Sequence, residues 1–158
     1  MCGIIPIFCQ FAEGFLITSD PKLDNYDRFQ VYMGHFPAGA SVQSILHYAQ
    51  IINTDVMPLY DWGSASANNA KYGQDVPPDV ELGKITLPTA MFVGSQDDLG
   101  DVKDNRWAKS QMGPALKYYQ EVSGGHATFL VGNEVAYLDK VLSLVAEHKT
   151  QTAEEFLV

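Results

Sequence analysis

Residues 85–101 read ITLPTAMFVGSQDDLGD. Pro88 stands near the start of an apolar run that stops at Gly94, and acids crowd the residues beyond it. A short apolar run bounded in this way reads as a buried strand followed by an acidic loop. Downstream, DNRWAKSQMG (104–113) predicts a helix that stops at Gly113, and LKYYQEV (116–122) alternates well enough for a second strand. A Gly-Gly-His loop follows. NEVAYLDKVLSLVAEHK (133–149) then predicts an amphipathic helix, with Asn133 as N-cap and Val135, Leu138, Val141, Leu142 and Val145 as one apolar stripe. Strand, loop, helix, strand, loop, helix is the order of a parallel α/β sheet. Two strands are too few for a stable open sheet, so the chain is expected to be incomplete on its own.

The residues before Ile85 have another texture. Residues 1–17 are apolar and predicted helical around Pro6, and TSDPKLDNYDRF (18–29) is a polar turn region. In SVQSILHYAQIIN (41–53), Ser41 suits an N-cap, while Val42, Ile45, Leu46, Ala49 and Ile52 fall at helical spacing. A helix from about Ser41 to Ile52 is expected. Residues 60–85 are rich in Gly, Pro, Asn and Asp and are expected to be mostly irregular. The chain therefore divides into a helical or irregular part, 1–84, and an α/β part, 85–158.

Composition narrows the partners. With 158 residues, 46% apolar and 18% charged, the chain has the make-up of a folded globular domain. Nineteen acids against ten bases leave a formal charge of −9, the wrong sign for a phosphate backbone or an anionic membrane surface. MCGIIPIFCQFAEGFLI (1–17) has no basic residue, is interrupted by Pro6 and Glu13, and falls short of the roughly 20 apolar residues of a membrane span. It reads as packed core that starts abruptly. Cys2 and Cys9 are either bridged or both buried thiols, and no other Cys or His stands at the spacing of a zinc site.

In parallel sheets, functional groups collect at the carboxyl ends of the strands. Asp97 lies there after the first strand and His126 after the second. An acid and then a histidine, in that order, are the last two members of a Ser…Asp…His series. A neutral imidazole takes the proton of a nucleophile, and a carboxylate fixes its tautomer and stabilises the imidazolium. Asp98, Asp101 and Asp104 share the acidic loop with Asp97, and Asp101 is also placed to cap the helix toward Trp107. His35, His47, His148, Trp62, Trp107, Tyr118 and Tyr119 read as structural. The nucleophile itself has no candidate: GASVQ, GSASA and GSQDD all fail the Gly-x-Ser-x-Gly pattern. The usual chain order puts that serine upstream of residue 1.

Four stretches in one order complete the picture: MGHFPAGASVQSILHYAQIINT (33–54), YDWGSASANNAKYG (60–73), LPTAMFVGSQDDLGD (87–101) and VSGGHATFL (122–130). Together they resemble the C-terminal portion of the acid lipase family of α/β-hydrolases, over roughly residues 1–148. The most specific parts are His-x-Pro-Ala-Gly-x-Ser-x-Gln (35–43) and Tyr-Asp-Trp-Gly-Ser (60–64). The resemblance implies the C-terminal part of an α/β-hydrolase core at 85–158, and part of a helical cap or lid at 1–84. It implies hydrolysis of neutral lipid esters, triacylglycerols or sterol esters, through a Ser-His-Asp triad without metal or organic cofactor. Asp97 and His126 take the places of the triad acid and base. The nucleophile serine would lie in an N-terminal half or a partner chain, and this chain alone would be inactive. Lysosomal or secreted placement is implied by the family alone. Around His126 the sequence departs from the family pattern, with Gly125 and Ala127 in its flanking positions. A non-catalytic, lipase-like structural or lipid-binding subunit of a larger assembly is the alternative reading.

Overall fold

The computed structural model describes residues 22–25, 27, 31–32, 34–35, 38–52, 54–133 and 135–155, the last seven by backbone alone. The expectations for residues 1–17, including Cys2 and Cys9, lie outside the described residues. The chain divides into two compact units, Pro37–Lys84 and the remainder.

In the unit Pro37–Lys84, helix α1 spans Val42–Ile51. Ser41 caps it from an extended backbone, its hydroxyl accepting the N–H of Ser44 at 3.4 Å. The apolar spacing that predicts this helix does not bury it: none of its residues is buried, and Val42, Ile45 and Leu46 are exposed. Helix α2, Ala65–Tyr72, interrupts the segment expected to be irregular. Its signals were local. Ser64 caps the N-terminus by accepting from Ala67 N–H at 3.2 Å, and Gly73 closes the C-terminus at φ +73°. The buried Asn68 side chain ties α2 to the chain before and after it. It accepts from Trp62 N–H at 2.9 Å and donates to Asp61 Oδ1 at 3.0 Å and to the Asp75 carbonyl at 3.2 Å. Gln50 reaches from α1 to Asp61, donating to its carbonyl at 2.8 Å and accepting its N–H at 3.0 Å. Tyr60 sits edge-on to both His47 and Trp62, with ring centroids 5.9 and 5.1 Å apart.

The second unit is the α/β part. Strand β1 (Thr89–Gly94), helix α3 (Val102–Gln111) and strand β2 (Leu116–Val122) form a crossover that leaves the two strands parallel. The register runs from Ala90 opposite Tyr118 to Gly94 opposite Val122. Asp101 caps α3, its carboxylate accepting Lys103 N–H at 2.6 Å. Met112 and Ala115 are buried at the turn into β2, and Val93 is buried in β1. Past β2 come the short helix α4 (Thr128–Val131) and the long helix α5 (Tyr137–Glu155). Phe92, Tyr118, Phe129 and Tyr137 pack as a ring cluster with centroids 5.4–6.1 Å apart.

Two expectations for the last helix need correction. Asn133 is not its N-cap, because α5 begins at Tyr137 and the Asn133 N–H donates to the Leu23 carbonyl at 2.7 Å. That bond belongs to a small antiparallel pairing, in which Asp24 faces Gly132 and Asn25 N–H donates to the Val131 carbonyl at 2.6 Å. The apolar stripe of α5 exists but stays wet. Leu138, Leu142 and Val145 are exposed, Leu142 by 66%. Among the described residues the only sheet has two strands, too narrow a platform to cover a helix of this length. No helix among the described residues is long and apolar enough to cross a membrane.

Candidate active site

Parallel pairing sends the carboxyl ends of β1 and β2 out of the same sheet edge. The loop after Gly94 and the loop after Val122 therefore start side by side, their starting residues being register partners. Backbone bonds join them at once: Ser95 N–H donates to the Val122 carbonyl at 2.9 Å and Gln96 N–H to the Gly124 carbonyl at 3.0 Å. Such closeness needs small residues. A Cβ at Gly94 would stand 2.8 Å from the Gly124 carbonyl oxygen, a backbone atom with no freedom to yield. Gly124 itself has φ +135°, a conformation L side chains rarely adopt.

Asp97 comes three residues after the first strand and His126 four after the second. Their side chains meet, with His126 Nδ1 3.0 Å from Asp97 Oδ2. An ionised carboxylate can only accept, so the ring carries its proton on Nδ1 and donates it to Asp97. Nε2 is then the nitrogen left for proton transfer. The other carboxylate oxygen, Oδ1, accepts the N–H groups of Leu99 at 2.9 Å and Gly100 at 2.8 Å, an Asx-type turn built by the acid on its own loop. Gly100 packs closely on the acid, and a Cβ there would lie 3.2 Å from Asp97 Oδ2, a tight contact.

The two groups live in different surroundings. The Asp97 residue is 8% exposed, whereas the His126 side chain is 48% exposed. Burial by itself raises the Asp97 pKa. The hydrogen bonds from Gly100, His126 and Leu99 and the His126 charge outweigh that cost, and hold the carboxyl below its ordinary value. A buried, ionised acid thus orients an accessible imidazole. That arrangement can accept a proton at Nε2 and stabilise the cation that results.

The neighbouring acids are employed elsewhere. Asp101 caps α3, Asp104 lies in its first turn, and Asp98 is exposed. Of the histidines read as structural, His47 Nε2 lies 2.9 Å from the Pro58 carbonyl oxygen within the other unit. Sequence reasoning missed Thr128, which is 5% exposed and accepts the buried Gly125 N–H on its hydroxyl at 3.1 Å. A threonine two residues past a histidine in a Gly-Gly loop was the available signal.

Known proteins resemble the chain over most of its length. The chain is 34% identical over 132 residues to lipase member K of Mus musculus, covering 81% of this chain and 33% of that protein. It is 32% identical over 143 residues to gastric triacylglycerol lipase of Rattus norvegicus, covering 89% and 34%. It is 31% identical over 150 residues to the lysosomal acid lipase/cholesteryl ester hydrolase of the same species, covering 93% and 36%. The chain is homologous to the acid lipases. Homology covers most of its own length, and the chain spans about a third of the length of the acid lipases it matches. No protein-family model matches it. With two parallel strands and their helices, it has the fold of a partial α/β-hydrolase.

Proposed function

We propose that this chain supplies the acid and base of a serine ester hydrolase, with Asp97 orienting His126. The nucleophile comes from outside the chain, from an N-terminal part of the same polypeptide or from a partner chain. The observation that carries the reading is the 3.0 Å contact between a buried Asp97 and an accessible His126 at the shared ends of two parallel strands. His126 Nε2 takes the serine proton as the oxygen attacks the ester carbonyl. It then returns that proton to the leaving alcohol, and water repeats the sequence to release the acid from the acyl-enzyme. No metal or organic cofactor enters these steps.

The substrates we infer are neutral lipid esters, since relatives are named for triacylglycerol and cholesteryl esters. Lysosomal or secreted placement is inferred from the same relatives, one gastric and one lysosomal. We assign residues 1–84 to part of a helical cap or lid, and 85–158 to the C-terminal part of the core. Esterase turnover by the native assembly that contains this chain tests the proposal. His126→Ala is expected to remove the base and lower kcat by at least about 10³-fold, because triad members act as one unit. Unchanged turnover would refute the role of His126 and favour a lipase-like subunit that binds without hydrolysing.

A further inference from the structure

We propose that Thr128 is a positioning residue for this dyad, holding His126 at Asp97 through a single peptide plane; the inference rests on the triad reading above. The peptide linking Gly124 to Gly125 lies between the two loops. Its carbonyl accepts Gln96 N–H at 3.0 Å, one residue before Asp97. Its N–H donates to Thr128 Oγ1 at 3.1 Å, one residue before His126. One rigid plane therefore ties the acid's loop to the histidine's loop, and Thr128 fixes its rotation.

Thr128 grips the loop at three further points. Its own N–H donates to the Gly125 carbonyl at 3.3 Å, so both polar groups of Gly125 end on one residue. Its side chain fills the space a Cβ on Gly124 would need, with Cγ2 only 2.5 Å from that position. Its carbonyl accepts Gly132 N–H at 2.8 Å, which anchors the residue in α4. Gly125 and Thr128 are both buried, so water is a poor substitute for the hydroxyl. Without it, the Gly125 N–H is left unsatisfied, and the peptide can relieve this by rotating. A change in the Gly124 ψ torsion that accompanies this rotation shifts the Cα of Gly125 and carries the His126 ring away from Asp97 Oδ2.

Thr128→Val keeps the shape and deletes the acceptor; Thr128→Ser keeps the acceptor and deletes the methyl. In the intact protein, Thr128→Val is expected to lower kcat by about 10–100-fold with KM within about twofold, the signature of misplaced chemistry rather than lost binding. The downfield imidazole Nδ1–H resonance of His126 is expected to broaden or vanish in the same variant. Thr128→Ser restores the resonance and kcat to within about threefold of wild type, since the oxygen is what the geometry needs. Wild-type kcat and an intact Nδ1–H resonance in Thr128→Val would overturn the proposal. Should that variant fail to fold, amide exchange in the wild-type protein decides instead. Strong protection of Gly125 N–H supports the bond, and exchange at the rate of an open loop overturns it. A His126→Ala variant with unchanged turnover would refute the triad reading, while the His126 Nδ1–H resonance, compared between wild type and Thr128→Val, separately reports the hold of Thr128 on the ring.

Discussion

Replacing Asp97 by Asn separates orientation from packing at the site. Asp97 Oδ1 accepts two backbone N–H groups, at 2.9 and 2.8 Å, so the amide oxygen of an asparagine will occupy that position. Its NH2 then stands where Oδ2 stood, 3.0 Å from His126 Nδ1. Two donors cannot face each other, so the imidazole changes tautomer, with the lone pair on Nδ1 and the proton on Nε2. A base with its proton on Nε2 cannot deprotonate a serine. Under the triad role proposed for His126, the loss expected from a wrong tautomer is about 10⁴-fold in kcat. The loop bonds survive, but all three charge-assisted bonds of the carboxylate become neutral ones, so the stability cost at neutral pH is about 1–2 kcal/mol.

That cost has a pH signature. Asp97 has a folded pKa below its unfolded one, so the unfolded chain binds more protons across that window and stability rises with pH. Its contribution is complete above the unfolded value, about 4, and fades as pH falls through the folded one. Asparagine has no such dependence. Urea unfolding of the two proteins is therefore expected to differ at pH 7 and to converge toward pH 3. Imidazole ¹⁵N shifts report the tautomer directly. An unchanged Nδ1–H tautomer in Asp97→Asn, or a stability gap independent of pH, would refute the reasoning.

Two other perturbations test the surroundings. Glu121 on β2 receives two bonds of 2.7 Å from Arg106 on α3, and its pKa is lowered to about 2, chiefly by that guanidinium. Arg106→Ala is expected to return the Glu121 titration, followed by carboxyl ¹³C shifts, toward the ordinary carboxylate range near 4.5; a midpoint that stays near 2 contradicts the pairing. Because the folded pKa is depressed, the pair's stabilisation is present above the unfolded value and lost as pH falls from about 4.5 toward about 2. Asn68→Ala removes the acceptor of Trp62 N–H and both donors to Asp61 and Asp75, at an expected cost of about 2–3 kcal/mol to the unit Pro37–Lys84. Faster amide exchange at Trp62 is the readout, and unaltered exchange would contradict the role given to Asn68.

What the sequence makes legible follows from range. β1, β2, α1 and α3 come from local signals: apolar runs, an N-cap serine, an N-cap aspartate and a terminal glycine lie within ten residues of what they specify. α2 is an exception to range: Ser64 and Gly73 mark its ends locally, but Asn68 and Asn69 lower helix propensity, and their bonds to Asp61, Trp62 and Asp75 leave no pattern of residue types to read. The start of α5 was misplaced because of a distant contact. Asn133 is a good cap by type, but its backbone is engaged by Leu23, over a hundred residues away. No periodicity reports a bond of that span.

The dyad is legible for a different reason, one that comes from topology. Antiparallel strands would send the ends of β1 and β2 to opposite edges of the sheet, and Asp97 and His126 would part by the length of a strand. Parallel pairing brings the ends together whatever lies in the 28 residues between Asp97 and His126. The strand–helix–strand pattern therefore predicts proximity without any knowledge of α3. It does not predict a 3.0 Å contact. That last step depends on Gly94 admitting the Gly124 carbonyl, on Gly124 at positive φ, and on Thr128 holding Gly125. These residues carry no charge and no nucleophile, so a search for chemistry passes over them. Topology makes the acid and the base neighbours, and three glycines and a threonine make them a pair.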